Sequence, residues 1–357
     1  MNIRVTQLVL FLGIMFCDYS GAEEPPTAQS PKVDESLQAL LKQFPQADAN
    51  KDGVLTREEA RDYRQKILAQ RAVEIKPTLT DAKYGPAERN VFDFYQAAST
   101  RPTPLVINIH GGGFVGGNKA VAPGVLKMYL DAGISLASIH YRFVDGKDVL
   151  FPAPQQDGAL AVQYLRSRAK ELNIDPKRVA CFGGSAGAGI SMWIGFHDEL
   201  ADPNSDDPVR RESTRIQAVG TFGGQGTYDP IQIKELIGGR AWEHPSIFKV
   251  YGITTAEELL HPTASRQKLY DECSAVTHLT PDDPPLYMVY SEADGPLPAD
   301  ARPGQGIHHP NFGRQLTKKM DELGIENVYV YTPDAKGRNV NAEMLAFFQK
   351  QFEKVKD

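Results

Sequence analysis

The sequence predicts an α/β architecture, a mostly parallel β-sheet with helices on both faces. Three observations carry it. Short apolar runs alternate with longer helical stretches from about residue 90 to the C-terminus, the pattern of a sheet covered on both sides. One apolar run breaks abruptly into a helical stretch at Gly183-Gly184-Ser185-Ala186-Gly187, and another ends in His110-Gly111-Gly112-Gly113-Phe114. With 357 residues, 41% of them hydrophobic, the chain can bury one large core and carry a small additional segment.

The N-terminus opens with Arg4, an apolar run from Leu8 to Phe16, and the small residues Ser20-Gly21-Ala22. This predicts a secretory signal peptide over 1–22, with an apolar core too short for a stable membrane span, and a secreted or periplasmic protein. Residues 23–33, rich in proline and polar residues, read as a linker. The stretch Asp48 to Glu59 then matches a twelve-residue calcium loop of the EF-hand type. Asp48, Asn50 and Asp52 offer side-chain oxygens, Val54 its carbonyl, Thr56 a ligand through water, and Glu59 two carboxylate oxygens. Gly53 supplies the turn. Helices are expected over 36–44 and 57–70, giving an EF-hand-like segment at 34–72 that holds Ca2+ without a part in catalysis. No second such loop is found, which favours a structural or docking role.

From residue 78 to 357 the strand candidates are 90–96, 104–110, 134–140, 178–183, 216–222, 285–291 and 327–332. Each is short, apolar and bounded by turn residues. Long helices are expected at 153–172 and 341–354. Residues 228–280 break the alternation with short helical pieces carrying Trp242, Phe248, Tyr251, Leu259, Leu260 and Tyr270, which read either as a lid bounding a substrate pocket, a cap inserted after a strand, or as plain surface packing.

The serine run fits a nucleophile elbow, where a strand turns so sharply into a helix that residues beside the serine must lack side chains. Gly183 and Gly187 meet that need. The run 110–114 follows the strand 104–110 and leaves backbone N–H groups open to a substrate oxyanion, so Gly112 and Gly113, with Ala186, are assigned as the oxyanion hole. Each such donor is worth roughly 2.7–4 kcal/mol of transition-state stabilisation.

These paired motifs resemble the α/β-hydrolases, specifically the hormone-sensitive-lipase-like and feruloyl-esterase-like carboxylesterases. The resemblance covers residues 78–357 and includes His140-Tyr141-Arg142, Phe151-Pro152-Ala153-Pro154 and Asp175-Pro176-Lys177-Arg178-Val179. It implies a carboxylesterase with Ser185 as nucleophile and a triad in the order serine, acid, histidine.

The acid belongs after the strand 286–290, where Asp294 is preferred to Glu292. A histidine should follow the strand 327–332, but the turn reads Thr332-Pro333-Asp334-Ala335-Lys336-Gly337-Arg338-Asn339, and the last histidine of the chain is His309. His308 and His309, at the end of a loop leaving the acid turn, are the candidates for the base. His110, His140, His197, His244, His261 and His278 read as structural. Three functions stay open: a serine esterase with a relocated histidine, a weakly active or inactive hydrolase fold acting as a binding module through calcium-dependent attachment, and an esterase whose base is a lysine such as Lys336. An imidazole base predicts an acid limb of kcat/KM near pH 6–7.

A formal charge of −6 without basic runs argues against nucleic acid as a partner and favours a small-molecule or glycan-linked ester. Beyond the signal segment the cysteines are Cys181 and Cys273, read as buried free thiols.

Overall fold

The computed structural model describes residues 31–63 and 75–356. The chain divides into two compact units, 1–74 and 75–357. The signal-peptide reading and most of the linker fall outside the described residues. Helix α1 spans Pro31–Gln43 and so takes in the last three residues read as linker; proline opens a helix readily, because its missing N–H is one that the first turn leaves unpaired anyway.

In the first unit Leu37, Leu40, Phe44, Ala47, Leu55 and Ala60 form a small apolar cluster. The loop between 48 and 59 is curled by its own acidic side chains. Asp48 accepts from the N–H groups of Lys51 and Gly53 at 2.7 and 2.9 Å, and Asp52 from that of Val54 at 2.8 Å. Glu59 reaches back to the N–H groups of Ala49 and Asn50 at 3.1 and 3.2 Å. Gly53 has φ 81°, a left-handed value that suits glycine. Helical backbone resumes over 57–63, and the rest of the helix expected to residue 70 lies outside the described residues.

The second unit is built on one eight-stranded sheet, ordered β1-β2-β4-β3-β5-β6-β7-β8. Its strands are β1 (Leu79–Lys83), β2 (Val91–Tyr95), β3 (Thr103–Ile109), β4 (Ser135–Ile139), β5 (Ile174–Gly184), β6 (Ala218–Phe222), β7 (Leu286–Tyr290) and β8 (Asn327–Tyr331). The pairs β1–β2 and β2–β4 are antiparallel and the remaining pairs parallel. The middles of the central strands, 105–107 in β3 and 179–182 in β5, are apolar and buried because both faces are covered there. β1 was not legible as a strand: it is mostly exposed and broken by Asp81 at φ 50°. It is held at the edge by β2, where Asp93 accepts the Asp81 N–H at 2.9 Å and binds Lys119 at 2.7 Å.

The connecting helices are α2 (Pro123–Asp131), α3 (Ala153–Ser167) and α4 (Ala186–Phe196), then the short series α5 (Pro230–Ile237), α6 (Pro245–Tyr251), α7 (Ala256–Leu260), α8 (Ala264–Cys273) and α9 (Ala275–His278), and finally α10 (Asn311–Leu323) and α11 (Val340–Glu353). α3 stops five residues short of the expected 172, since Asn173 turns left-handed at φ 48° and Ile174 N–H folds back to the Ala169 carbonyl. Cys181 and Cys273 are buried free thiols. Among the described residues no helix is long and apolar enough to cross a membrane.

Gly124 lies in the first turn of α2 with open space where a Cβ would stand. Gly124→Ala is therefore expected to stabilise the protein by about 0.4–1 kcal/mol, chiefly by restricting the unfolded chain, read as a higher midpoint in urea at unchanged m-value.

Candidate active site

Parallel strands β3, β5, β6 and β7 lie side by side, so the loops leaving their C-terminal ends converge on one rim of the sheet. Ligands bind at that rim in open α/β sheets. β5 passes into α4 through Ser185, which has φ 52° and ψ −119°. A β-carbon on Gly187 would stand 2.0 Å from the Ile109 carbonyl oxygen, and one on Gly183 would stand 2.5 Å from the same atom. Glycine alone fits there, and the tight turn pushes the Ser185 hydroxyl out over the rim.

The glycine run after β3 passes directly beside it. A β-carbon on Gly111 would lie 3.4 Å from the Ser185 Cβ. Gly112 and Gly113 take φ 114° and 59°, and the Gly112 carbonyl accepts from the N–H groups of Val115 and Gly116. Among the described residues no hydrogen bond occupies the N–H groups of Gly112, Gly113 or Ala186. The loop is fixed from below by Phe114, whose ring meets Phe151 and Tyr228 edge-on at 4.7 and 5.3 Å. It is fixed from the side by His110, stacked on Tyr141 at 4.5 Å. Its Nδ1 lies 2.8 Å from the Gly111 carbonyl and its Nε2 3.1 Å from His140. Burial pushes His110 down to about 4, so it stays a neutral brace.

His308 is the imidazole that meets the serine. Its Nε2 is 2.8 Å from Ser185 Oγ, and its ring packs over Gly223, the first residue past β6. Burial, reinforced by the neighbouring His244, pushes His308 down to about 4. A neutral imidazole at that distance can take the hydroxyl proton. His309 turns the other way. It is buried, with Nε2 at 3.0 Å from the Gly295 carbonyl and Nδ1 accepting the Asn311 N–H at 3.1 Å, and it pins the loop on which His308 stands.

The acid preferred from the sequence is not the one beside this ring. Asp294 is paired through both oxygens with Arg314, Oδ1 at 2.8 Å, which holds its carboxyl below the usual range. Its backbone N–H donates to the Tyr331 hydroxyl at 3.1 Å. Glu292 takes the place instead: its Oε2 accepts the His308 backbone N–H at 3.2 Å, and its Oε1 stands 3.8 Å from His308 Nδ1. That contact is longer than a hydrogen bond, as catalytic contacts often are before substrate binds. Arg314, which draws Asp294 away from the ring, comes from a helix beyond the loop and is not visible in the acid turn alone.

The turn after β8, where the resemblance places a histidine, is occupied otherwise. Lys336 is exposed, and Arg338 pairs with Glu343 at 2.9 Å. The structure thus sets an imidazole, and not the Lys336 amine, against Ser185. The binding-module reading rested on a missing base, and nothing in the site supports it. His244, read as structural, accepts the Ser246 N–H at the head of α6, and Ser246 was not singled out in the sequence. A β-carbon on Gly113 would come within 2.5 Å of Ser246 Oγ and 3.8 Å of the His244 ring, so α6 starts over the glycine loop.

The fold is that of the α/β-hydrolases. Within that class the chain belongs to the BD-FAE family, whose model matches residues 92–301, more than half of it. A probable carboxylic ester hydrolase, LipM of Mycobacterium tuberculosis, is 25% identical over 229 residues, 63% of this chain and 50% of that protein. The chain spans about half the length of the curated relatives it matches. Among solved structures, a truncated carbohydrate esterase from gut microbiota superposes with TM-score 0.59 at 21% identity, covering 79% of this chain and 99% of that one. An acetyl ester-xyloside bifunctional hydrolase from Caldicellulosiruptor lactoaceticus gives TM-score 0.53 at 20% identity, covering 79% and 94%.

Two measurements separate the residues of the site. His308→Ala should lower kcat by about 10⁴-fold or more and Glu292→Gln by about 10²–10⁴-fold, with Asp294→Asn and His309→Ala affecting melting temperature more than their effect on the chemical step. The acid limb of kcat/KM should lie well below pH 6, because the base is active only while neutral and protonates near pH 4 rather than near its ordinary 6.5. An acid limb at pH 6–7 would show that burial does not depress His308 in the working enzyme, and loss of the limb in His308→Ala identifies the titrating group.

Proposed function

We propose that the protein is an exported serine carboxylic ester hydrolase working through an acyl-enzyme on Ser185. The observation that carries this reading is the 2.8 Å approach of His308 Nε2 to Ser185 Oγ, made beside three open N–H groups. Ser185 Oγ attacks the ester carbonyl as its proton passes to His308 Nε2, and the new oxyanion is held by Gly112, Gly113 and Ala186. Collapse of the tetrahedral intermediate breaks the bond to the alcohol, which leaves with the proton from His308. Water then repeats the sequence on the acyl-enzyme, with His308 again taking and returning the proton, and releases the acid. Glu292 orients the imidazole and offsets its charge while protonated.

The substrate is an acyl ester, either of a small molecule or attached to a glycan. Net negative charge and the absence of basic runs in the sequence favour a neutral or acylated ligand over nucleic acid. The carbohydrate-ester activity carried in the names of both fold neighbours makes acetylated or otherwise acylated sugars the first compounds to assay.

The loop 48–59 is read as an EF-hand site for one calcium ion outside catalysis. Its donor set supports this: Asp48, Asn50, Asp52, Thr56 and Glu59 are all oxygen ligands, with the Val54 carbonyl between them, the hard chemistry calcium selects. Hydrogen bonds from Thr56 keep the Glu59 carboxyl below its ordinary value, hence charged and ready for a cation.

A fluorophosphonate probe should add one equivalent at Ser185 and none to Ser185→Ala, and p-nitrophenyl acetate hydrolysis should vanish with it; a wild-type protein that stays unlabelled beside a reactive control esterase would overturn the enzyme reading. Calorimetric titration with Ca2+ should find one site, lost in Glu59→Gln. Chelator should leave ester hydrolysis nearly unchanged.

A further inference from the structure

His197, Glu272 and His278 come together at the end of α4 remote from Ser185, where the loop chemistry of the active site plays no part. A nitrogen of each imidazole and a carboxylate oxygen of Glu272 all lie within 4.8 Å of one another. His197 Nε2 stands 3.2 Å from Glu272 Oε1. Two ligands of a tetrahedral zinc ion, each about 2.0–2.1 Å from the metal, are about 3.3 Å apart. The hydrogen bonds around the rings prepare them for the same purpose. His197 Nδ1 lies 3.0 Å from the Asp198 carbonyl, and His278 Nε2 lies 2.8 Å from the Glu272 carbonyl. A carbonyl oxygen only accepts, so each ring donates an N–H there and keeps its lone pair on the other nitrogen. For His197 that lone pair faces Glu272 Oε1 at 3.2 Å, an approach of two acceptors that either a proton or a metal ion bridges. Metal-binding histidines are held in this way, one nitrogen on a carbonyl and the other on the metal.

We propose that these three side chains bind one zinc-type divalent cation, with water completing the coordination. Two imidazoles and one carboxylate are a donor set that suits zinc better than calcium or magnesium. The ion does not take part in ester hydrolysis: α4 rises about 1.5 Å per residue, which puts His197 about 18 Å from Ser185. Its place in the fold gives its role. Glu272 belongs to α8 and His278 to α9, so the cation ties two of the helices that follow β6 to the end of the helix that begins at the serine.

The site has an internal reporter. The Trp193 ring lies 4.3 Å from His197, and its Nε1–H donates to the Glu272 carbonyl at 2.8 Å. The test uses the full chain in excess calcium, so that the loop 48–59 is filled, with cobalt and zinc as probes. In a Trp242→Phe background, cobalt should quench Trp193 fluorescence at one ion per chain and give visible absorption bands of a four-coordinate site, both reversed by zinc. Zinc near ten times its dissociation constant should raise Tm by about 3 °C. His278→Ala and the conservative Glu272→Gln should lose the quenching, the bands and the shift while hydrolysing p-nitrophenyl acetate like the parent. No saturable cobalt or zinc binding at micromolar cation, or the same bands and stoichiometry in both variants, overturns the proposal.

Discussion

The fit of the Ser185 elbow against the end of β3 is the constraint on which the rest of the site depends. The Ile109 carbonyl lies so close to Gly183 and Gly187 that no side chain can stand at either position, and between these two glycines Ser185 takes φ 52° at the head of α4. The same contact brings the glycine run after β3 alongside the hydroxyl. Ser185 and the glycine run are therefore one packing unit, and strain at the serine is held by the sheet beneath it.

Buttressing of the glycine loop follows from its own composition. A backbone with three successive glycines has little reason to hold one shape, and the aromatic rings of Phe114, Phe151, Tyr228 and Tyr251 give it one. They meet edge-on at 4.7 to 5.6 Å, the geometry in which the positive edge of one ring faces the negative face of another. Tyr228 opens the stretch of short helices after β6, so those helices and the oxyanion loop share a foundation.

The sheet and the serine were legible because each is written locally. A buried strand is a short apolar run, and an elbow is glycines at fixed offsets from a serine. Strand limits read from the sequence fall within a residue or two of those observed for β2, β3, β4, β6, β7 and β8. β1 was invisible because it is polar and exposed, and is a strand only by pairing with β2. The choice between Asp294 and Glu292 was a matter of tertiary partners: both follow β7 within four residues, and only the position of Arg314 on α10 decides which carboxylate is drawn away. His308 and His309 are adjacent in sequence yet face opposite ways, one toward Ser185 and one toward Gly295. No periodicity in the chain distinguishes them.

The loop that carries Glu292 and His308 lies wholly between β7 and α10, closed at its far end by His309. Carboxylate and imidazole thus travel on a single covalent segment, whereas the resemblance had placed them on separate turns of the sheet. In the proposed mechanism the segment after β8 takes no part in proton transfer, and its exposed turn at Lys336 is open to insertion, fusion or sequence drift at no cost to that chemistry. The pair is also portable: grafted as one piece between the corresponding strand and helix of a related scaffold, the segment would bring the proposed base and its orienting carboxylate together in a single exchange.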